Sequence, residues 1–305
     1  MAARWHAATG DQWSIASGRY RATIVEVGGG IRTLERDGAA VVDGYPEENL
    51  PRQGAGQVLA PWPNRIGDGA YELDGQRRQL PINEISKNNA IHGLVRWVAW
   101  RRLDHTPESV TVGCTLAPHP GYPRALELVT KYTLSSDGLR VDHTAANLGN
   151  LPAPFGLGTH PYVRVGDTPV SSLLLSLPAD THLVVDERML PARTRPVGGR
   201  YDFHEPRQIA DMVFDTAYTD LHRDDDGVAR VRITENDGSG AEVWLGQAFR
   251  WVQVYNGGSP NGTPGASLAV EPTSCPPDAF RTGVDVVTLD GGARWQGSWG
   301  IRALP

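Results

Sequence analysis

Hydrophobic and polar residues alternate with a period of two along most of the chain. The alternation is clearest over 126–134, where the sequence reads LELVTKYTL, and it returns over 110–116 and 241–245. Because successive side chains of a strand point to opposite faces of the sheet, this pattern predicts half-buried antiparallel strands. No stretch has the pattern of a long amphipathic helix. The chain, 1–305, is therefore predicted to form one large, all-β, antiparallel domain.

Glycine and proline divide the predicted strands. Asp-Gly pairs at 74–75 and 137–138 predict tight hairpin turns, and three glycines at 28–30 interrupt the first strands. Over 43–64 the prolines exclude a helix and predict a stiff loop that leads into Arg65. The stretch 186–213 contains three prolines and a Gly-Gly pair, and it is predicted to be a long loop.

Composition and charge narrow the classes of function. The 305 residues are 40% hydrophobic and 21% charged, which is typical of globular proteins. The net charge of -6 argues against a nucleic-acid-binding protein and against a polybasic membrane-surface role. No segment approaches the roughly 20 apolar residues of a membrane helix. Residues 1–10 lack the apolar core of a secretory signal peptide, and the two cysteines suggest no disulfide framework. We therefore expect a cytoplasmic protein.

Two polar residues stand before prolines at the ends of predicted strands, and they suggest acid–base chemistry. His160 follows a glycine-rich stretch, and the proline after it restricts its backbone to extended conformations. Glu271 follows the apolar run 268–270 and also precedes a proline. Histidine titrates near neutral pH, and burial raises a carboxyl pKa toward the range of a general base. The two residues are candidates for a proton donor and a proton acceptor.

Other side chains are assigned simpler roles from their context. His105, His119 and His143 are predicted at the surface, and Trp97 and Trp100 in the core. The three aspartates at 224–226 are typical of a solvated turn rather than of a calcium loop.

Four short motifs occur in a fixed order along the chain. They are NRIGDG at 64–69, IHGL at 91–94, GTHPY at 158–162 and AVEP at 269–272. Together they resemble the aldose 1-epimerase (galactose mutarotase) family, and the resemblance extends over nearly the whole sequence. It implies a large twisted antiparallel β-sandwich with a sugar site in a cleft on one sheet.

The resemblance also implies roles for single residues. Glu271 corresponds to the base that removes the proton of the C1 hydroxyl, and His160 to the acid that protonates the ring oxygen. Arg65 and His92 correspond to residues that hold sugar oxygens near the reacting centre. Weaker matches imply further contacts to ring hydroxyls from Asn64, Tyr162, Asp215 and Gln253, with Asp220 as an alternative to Asp215. The implied partner is a small aldose of the galactose or glucose type, handled by a monomer or homodimer without cofactor or metal.

Four other functions remain open from the residues. A hexose-6-phosphate 1-epimerase would need arginines at the cleft, and Arg96, Arg164 and Arg195 are available. A non-catalytic sugar-binding protein of the same fold would have no use for a matched acid and base. A metal enzyme or a glycosidase would use side chains already named: His92, His160, Asp215 and Glu271 for the metal, and Asp215 with Glu271 for the glycosidase.

Overall fold

The computed structural model describes residues 7–305, so the first six residues of the predicted domain lie outside it. Strands are numbered along the chain. The first thirteen are β1 (Gln12–Ser17), β2 (Tyr20–Val25), β3 (Ile31–Arg36), β4 (Ala39–Val42), β5 (Val58–Leu59), β6 (Arg65–Gly67), β7 (Ala70–Leu73), β8 (Gln76–Gln79), β9 (Asn89–Ile91), β10 (Arg101–His105), β11 (Ser109–Leu116), β12 (Leu126–Ser135) and β13 (Gly138–Asn147). The others are β14 (Ala153–Phe155), β15 (Gly158–Thr159), β16 (Tyr162–Val163), β17 (Leu174–Leu177), β18 (Ala179–Val185), β19 (Pro191–Pro196), β20 (Phe203–Gln208), β21 (Asp215–Leu221), β22 (Ala229–Thr234), β23 (Gly240–Leu245), β24 (Trp251–Tyr255), β25 (Leu268–Thr273), β26 (Val287–Leu289) and β27 (Arg294–Leu304).

Helical structure is short in the described part of the chain. One α-helical turn, α1, spans Ala279–Thr282, and 3-10 turns lie at Arg52–Gly54, Ile85–Lys87, Val170–Ser172 and Gly199–Tyr201. Among residues 7–305, no helix has the length and apolar character needed to cross a bilayer.

Two large antiparallel sheets form the body of the molecule. One has twelve strands in the order β1-β2-β3-β4-β16-β25-β24-β21-β18-β19, with β15 and β5 pairing beside β25. The other has nine strands in the order β10-β11-β12-β13-β27-β23-β22-β17-β20. Three two-stranded ribbons complete the fold, and one of them, β6–β9, carries site residues.

The core lies between the two large sheets, which makes the fold a β-sandwich. Ile24 and Leu34 of the larger sheet and Leu128 and Val141 of the smaller belong to one buried hydrophobic cluster. The Tyr132 hydroxyl also donates a hydrogen bond to the Gly29 carbonyl, 2.6 Å away, across the sandwich. The predicted all-β sandwich is confirmed.

The stretch 186–213 is not the long loop that its prolines predicted. It contains β19 and β20, each at the edge of its sheet. An edge strand leaves one row of N–H groups unused by the ladder, so it tolerates the prolines at 191, 196 and 206. Proline here indicates an edge strand rather than the absence of a strand.

Two side chains also differ from their predicted locations. His143 is 1% exposed inside β13, because its neighbours in the core supply hydrogen-bond partners. Trp97 is 54% exposed, whereas Trp100 is buried as predicted.

Candidate active site

Six of the eight predicted site residues line one cavity of about 410 Å³ on the outer face of the twelve-stranded sheet: Asn64, Arg65, His92, His160, Asp215 and Glu271. Six further residues complete its wall: Gln53, Asn83, Glu84, Ile91, Arg96 and Tyr255. The cavity is mainly polar in its side chains and of a size suited to a small ligand.

The central strands of the larger sheet form the floor of the cavity. Glu271 on β25 pairs with Gln253 on β24, and Asp215 on β21 pairs with Tyr255. Residues two apart on a strand share a face, so Gln253 and Tyr255 lie side by side between the two carboxylates. The intervening valines at 252, 254 and 270 belong to the hydrophobic core. Alternation thus places a polar site and an apolar core on opposite faces of the same strands.

His160 lies in a break between two short strands. It follows β15 and precedes β16, and its carbonyl accepts a hydrogen bond from the Gly56 N–H at 2.8 Å. Its ring stacks on Tyr162 with centroids 4.9 Å apart. A side chain on Gly54 would begin 3.0 Å from the His160 ring. The imidazole is therefore fixed between an aromatic ring and a glycine-containing loop.

The imidazole of His160 and the carboxyl of Glu271 are adjacent at the bottom of the cavity. Nε2 of His160 lies 3.5 Å from Oε1 of Glu271, and each residue is 3% exposed. Burial, with a smaller effect of Arg96, lowers the pKa of His160 to about 3. Burial and the charge of Asp215 raise the pKa of Glu271 well above its usual 4.5. Both shifts favour the uncharged pair, in which one proton is held between the two groups.

The location of Glu271 within its strand differs from the prediction. β25 continues to Thr273, so Glu271 lies inside the strand rather than at its end. The N–H of Val270 donates a hydrogen bond to the carbonyl of Pro161, in the segment beside β25. Backbone groups two residues apart on a strand point to the same side, so Pro272 faces that segment too. There the neighbouring strand is interrupted around His160, so the N–H that proline lacks is not needed by the ladder.

Arg65 is held in place by two carboxylates. Its Nε donates to both carboxylate oxygens of Glu84, at 3.1 and 3.0 Å, and Nη2 lies 3.4 Å from Oδ2 of Asp215. Burial alone would lower the pKa of Arg65, but the hydrogen bond to Glu84 and the charge of Asp215 raise it. Arg65 therefore presents a permanently charged, fixed donor group to the cavity.

His92 and Asn64 support each other through the β6–β9 ribbon. Both have left-handed backbone angles, with φ of 65° and 54°. The N–H of Asn64 donates to Nδ1 of His92 at 3.2 Å, and the N–H of His92 donates to the carbonyl of Asn64 at 2.9 Å. Because the Asn64 bond requires a lone pair on Nδ1, the proton of the neutral ring is on Nε2. Burial, with smaller effects of Arg96, His160 and Arg65, lowers the pKa of His92 well below 6.5, so the neutral ring is favoured.

Two predicted site residues, Tyr162 and Gln253, are not among those that line the cavity. Tyr162 is fully buried under His160, and Gln253 donates to Oδ1 of Asp215 at 2.5 Å. Of the two aspartates of β21 that were considered, Asp215 lines the cavity, whereas Asp220 is exposed elsewhere. They are five positions apart, an odd number, which places them on opposite faces of a strand.

Sequence reasoning did not single out Gln53, Asn83, Glu84 and Ile91 as site residues. Ile91 stands in the IHGL motif, but only its neighbour His92 was given a role there. No local motif marks Gln53, Asn83 or Glu84, since each reaches the cavity only because its loop or ribbon folds over the sheet. Tyr255 had a weak signal, because it shares the face of Gln253 two residues earlier.

A group of side chains that could hold a metal ion lies elsewhere than the cavity. Within residues 7–305, the three side chains whose ligand atoms converge are Asp180, His204 and His222. The four residues of the metal-enzyme alternative do not converge in this way.

Comparison with known proteins agrees with the fold and the motifs. The sequence profile of the family described as Aldose 1-epimerase matches residues 11–302. The uncharacterized protein YihR of Escherichia coli (strain K12) is 38% identical over 286 residues, covering 93% of this chain and 90% of YihR. Galactose mutarotase of Homo sapiens is 29% identical over 221 residues, covering 66% of this chain and 62% of the human protein.

Solved structures with the same fold are more distant in sequence. A galactose mutarotase-like protein from Clostridium acetobutylicum superposes with a TM-score of 0.84 at 19% identity, covering 95% of this chain and 94% of that one. A GalM/aldose epimerase homologue from C. elegans gives 0.82 at 18% identity, covering 97% and 99%. The family match extends over almost the whole sequence, and the chain belongs to the aldose 1-epimerase family.

Proposed function

We propose that this protein is an aldose 1-epimerase that interconverts the α- and β-anomers of a free hexose in the cytoplasm. The observation that carries the proposal is the buried His160–Glu271 pair, 3.5 Å apart at the bottom of a polar cavity. Anomer exchange needs one base and one acid, and its chemistry requires no redox cofactor and no metal.

The reaction moves one proton in each direction. Ring opening starts from the form of the pair in which His160 has taken the shared proton from Glu271. Glu271 then removes the proton of the O1 hydroxyl while His160 gives its proton to the ring oxygen O5. The C1–O5 bond breaks, and the electron pair of the O1–H bond forms the carbonyl at C1. After rotation about C1–C2, His160 takes the proton back from the O5 hydroxyl, Glu271 returns its proton to O1, and the ring closes on the other face. Each transfer of this kind contributes typically ~10²–10⁴ in rate.

The side-by-side arrangement of the pair suits this substrate. The two groups do not face each other across the width of a pyranose ring but are neighbours. O1 and O5 are bonded to the same carbon, so an acid and a base that serve them must also be close together. Because the pair shares one proton, the form before ring opening and the form after it differ only in which group holds that proton.

The other site residues orient the sugar. Arg65 and the Nε2–H of His92 donate to oxygens near C1, and Asn64 and Asp215 contact ring hydroxyls. Tyr162 and Gln253 act as positioning residues, because they reach the sugar only through His160 and Asp215.

Polarimetry tests the proposal directly. Freshly dissolved α-D-glucose or α-D-galactose should approach its equilibrium rotation faster with the protein present. Glu271→Gln should remove most of the acceleration, whereas Glu127→Gln, at an exposed glutamate on β12, should not. Binding of sugar without acceleration would indicate a sugar-binding protein, and release of sugar from an aryl glycoside would indicate a glycosidase.

Arg96 favours a second candidate, a 1-epimerase of hexose 6-phosphates. Arg96 lines the cavity and its Nε donates to Gln57 Oε1 at 2.9 Å, but it forms no ion pair within residues 7–305. Burial lowers its pKa to about 10. A partly buried guanidinium without a carboxylate is suited to an anionic substituent of the substrate.

The other two arginines considered for this role are placed differently. Arg164 is paired with Asp43 and Asp167. Arg195 lies against His182 and Tyr201 in a neighbouring depression. Comparing glucose and galactose with their 6-phosphates decides between the candidates, and Arg96→Gln should raise KM for the phosphorylated sugars alone if they are the substrates.

A further inference from the structure

A group of metal-ligating side chains lies where the two large sheets approach each other at one end of the molecule. Asp180 is on β18 and His222 directly follows β21, both in the twelve-stranded sheet. His204 is on β20, the edge strand of the nine-stranded sheet. One ligand atom from each residue lies within 4.8 Å of the other two.

The three side chains already point at one another. Oδ1 of Asp180 lies 2.8 Å from Nε2 of His222 and 3.1 Å from Nε2 of His204. Two imidazole nitrogens and one carboxylate are the donor set that zinc and its neighbouring transition metals take in proteins. Two of the three residues have half or more of their side chains exposed, with values of 60% for Asp180 and 54% for His222, so an ion can enter from solvent.

A fourth residue orients one of the ligands. Nδ1 of His204 lies 2.8 Å from Oδ1 of Asp202. When Nδ1 carries the proton for this hydrogen bond, Nε2 of the neutral ring presents a lone pair toward Asp180. In this tautomer Nε2 of His204 and the carboxylate of Asp180 can bind one cation between them. Histidine ligands of zinc are characteristically held by a carboxylate on their other nitrogen in this way.

The group is remote from the sugar cavity. Strand β21 begins with Asp215, which lines the cavity, and His222 follows its last residue. At ~3.3 Å per residue the two ends of the strand are roughly 20 Å apart. Any effect of an ion here is therefore separate from proton transfer at His160 and Glu271.

We propose that Asp180, His204 and His222 bind one divalent transition-metal ion of the zinc type, with Asp202 positioning His204. The ion joins an edge strand of the smaller sheet to two strands of the larger one. It replaces two hydrogen bonds with coordinate bonds and compensates the negative charge of the two aspartates. Its role is to hold the two sheets together at this end of the sandwich.

Calorimetric titration with ZnCl2 tests the proposal on metal-stripped protein without a polyhistidine tag. We expect one saturable site per chain and a rise in Tm with Zn²⁺. The double variant His204→Ala/His222→Ala should lose both, and Asp202→Asn should weaken binding about 10–100-fold. His105→Ala, at an exposed histidine outside the group, is the matched control and should bind as the wild type does.

The outcomes separate this site from the sugar site. Absence of saturable binding to the wild type, or unchanged affinity and stoichiometry in the double variant, would overturn the proposal. All four residues are partly or largely exposed, so the variants are expected to fold, and circular dichroism checks this. Mutarotation by the stripped protein should equal that of the zinc-loaded protein.

Discussion

Two histidines of this chain share burial and a depressed pKa, yet their surroundings differ. His143 and His160 are 1% and 3% exposed, and burial lowers the pKa of each to about 3. His143 has partners on both nitrogens, with Thr130 Oγ1 at 2.8 Å and Trp299 Nε1 at 3.0 Å. Nδ1 of His160 has no hydrogen-bond partner within residues 7–305, and its Nε2 faces a carboxyl.

The strands around the two rings explain the difference. His143 lies in β13, where an unbroken ladder on both sides leaves its ring in the closed core of the smaller sheet. His160 lies in the break between β15 and β16, which opens the sheet to the cavity. A lowered histidine pKa therefore reports burial, and only the partners and the access to a cavity distinguish a reactive histidine from a structural one.

Replacing each of the two histidines in a separate variant should give the largest difference between an effect on activity and an effect on stability. His160→Asn should lower the mutarotation rate by ~10²–10⁴ because it removes a proton donor. His143→Leu should keep the rate per folded molecule but destabilise the protein by about 1–3 kcal/mol for each of the two buried groups left unpaired. Polarimetry and urea unfolding measure the two effects. Near-normal rates in His160→Asn would refute its assigned role.

The pH dependence of activity should reflect a pair that holds a single proton. A second proton enters only as the pH approaches the pKa of His160, about 3, and the last proton leaves only well above 4.5, the usual value for Glu271. The acid limb of the pH–rate profile should therefore lie far below the usual histidine value of 6.5 and the alkaline limb well above 4.5, and both limbs belong to the pair. An acid limb at pH 6.5 in the wild type, measured by polarimetry, would contradict the shared-proton state.

The pH dependence of stability should arise from buried histidines such as His143 and His92 rather than from the His160–Glu271 pair. Between 6.5 and about 3 the unfolded chain protonates His143 and the folded protein does not, so stability falls as the pH falls. His143 contributes a slope of up to about 1.4 kcal/mol per pH unit. His143→Leu should remove this contribution in urea unfolding at pH 5 to 6 and leave that of His92.

The His160–Glu271 pair provides the control for that slope. Above pH 4.5, and below both 6.5 and the raised pKa of Glu271, the unfolded pair holds one proton, on His160, and the folded pair also holds one, on Glu271. The raised pKa of one group offsets the lowered pKa of the other. The double variant His160→Asn/Glu271→Gln should therefore keep the wild-type slope, and a flattened slope in it would show that the pair is not neutral when folded.

A matched pair of glycines gives the smallest effect. Gly54 and Gly38 have φ of 80° and 81°, so alanine at either position should cost about 1–2 kcal/mol in stability. A Cβ on Gly54 lies 3.0 Å from His160, whereas one on Gly38 meets nothing within 4 Å. Only Gly54→Ala should slow mutarotation, a few-fold, by shifting the imidazole. Equal rates in the two variants would show that the loop does not position His160.

Local patterns in the sequence determined the all-β class and most residues of the candidate site. Alternation predicted β11 and β12, because a half-buried strand needs one apolar and one polar face. The motifs around Asn64, His92, His160 and Glu271 marked residues that the fold brings to one cavity, since each short motif fixes the backbone around its own residue. What the sequence identified is what short-range backbone geometry governs.

Only the tertiary structure decided how distant segments meet. Strand order placed Gln253 beside Glu271, folded Glu84 over the sheet onto Arg65, and left Arg96 without a carboxylate. It also made the proline-rich 186–213 into two edge strands and enclosed His143 in the core. Burial and pairing between residues far apart in sequence depend on sheet order, which no local pattern encodes, and these contacts set the pKa of His160 and of Glu271.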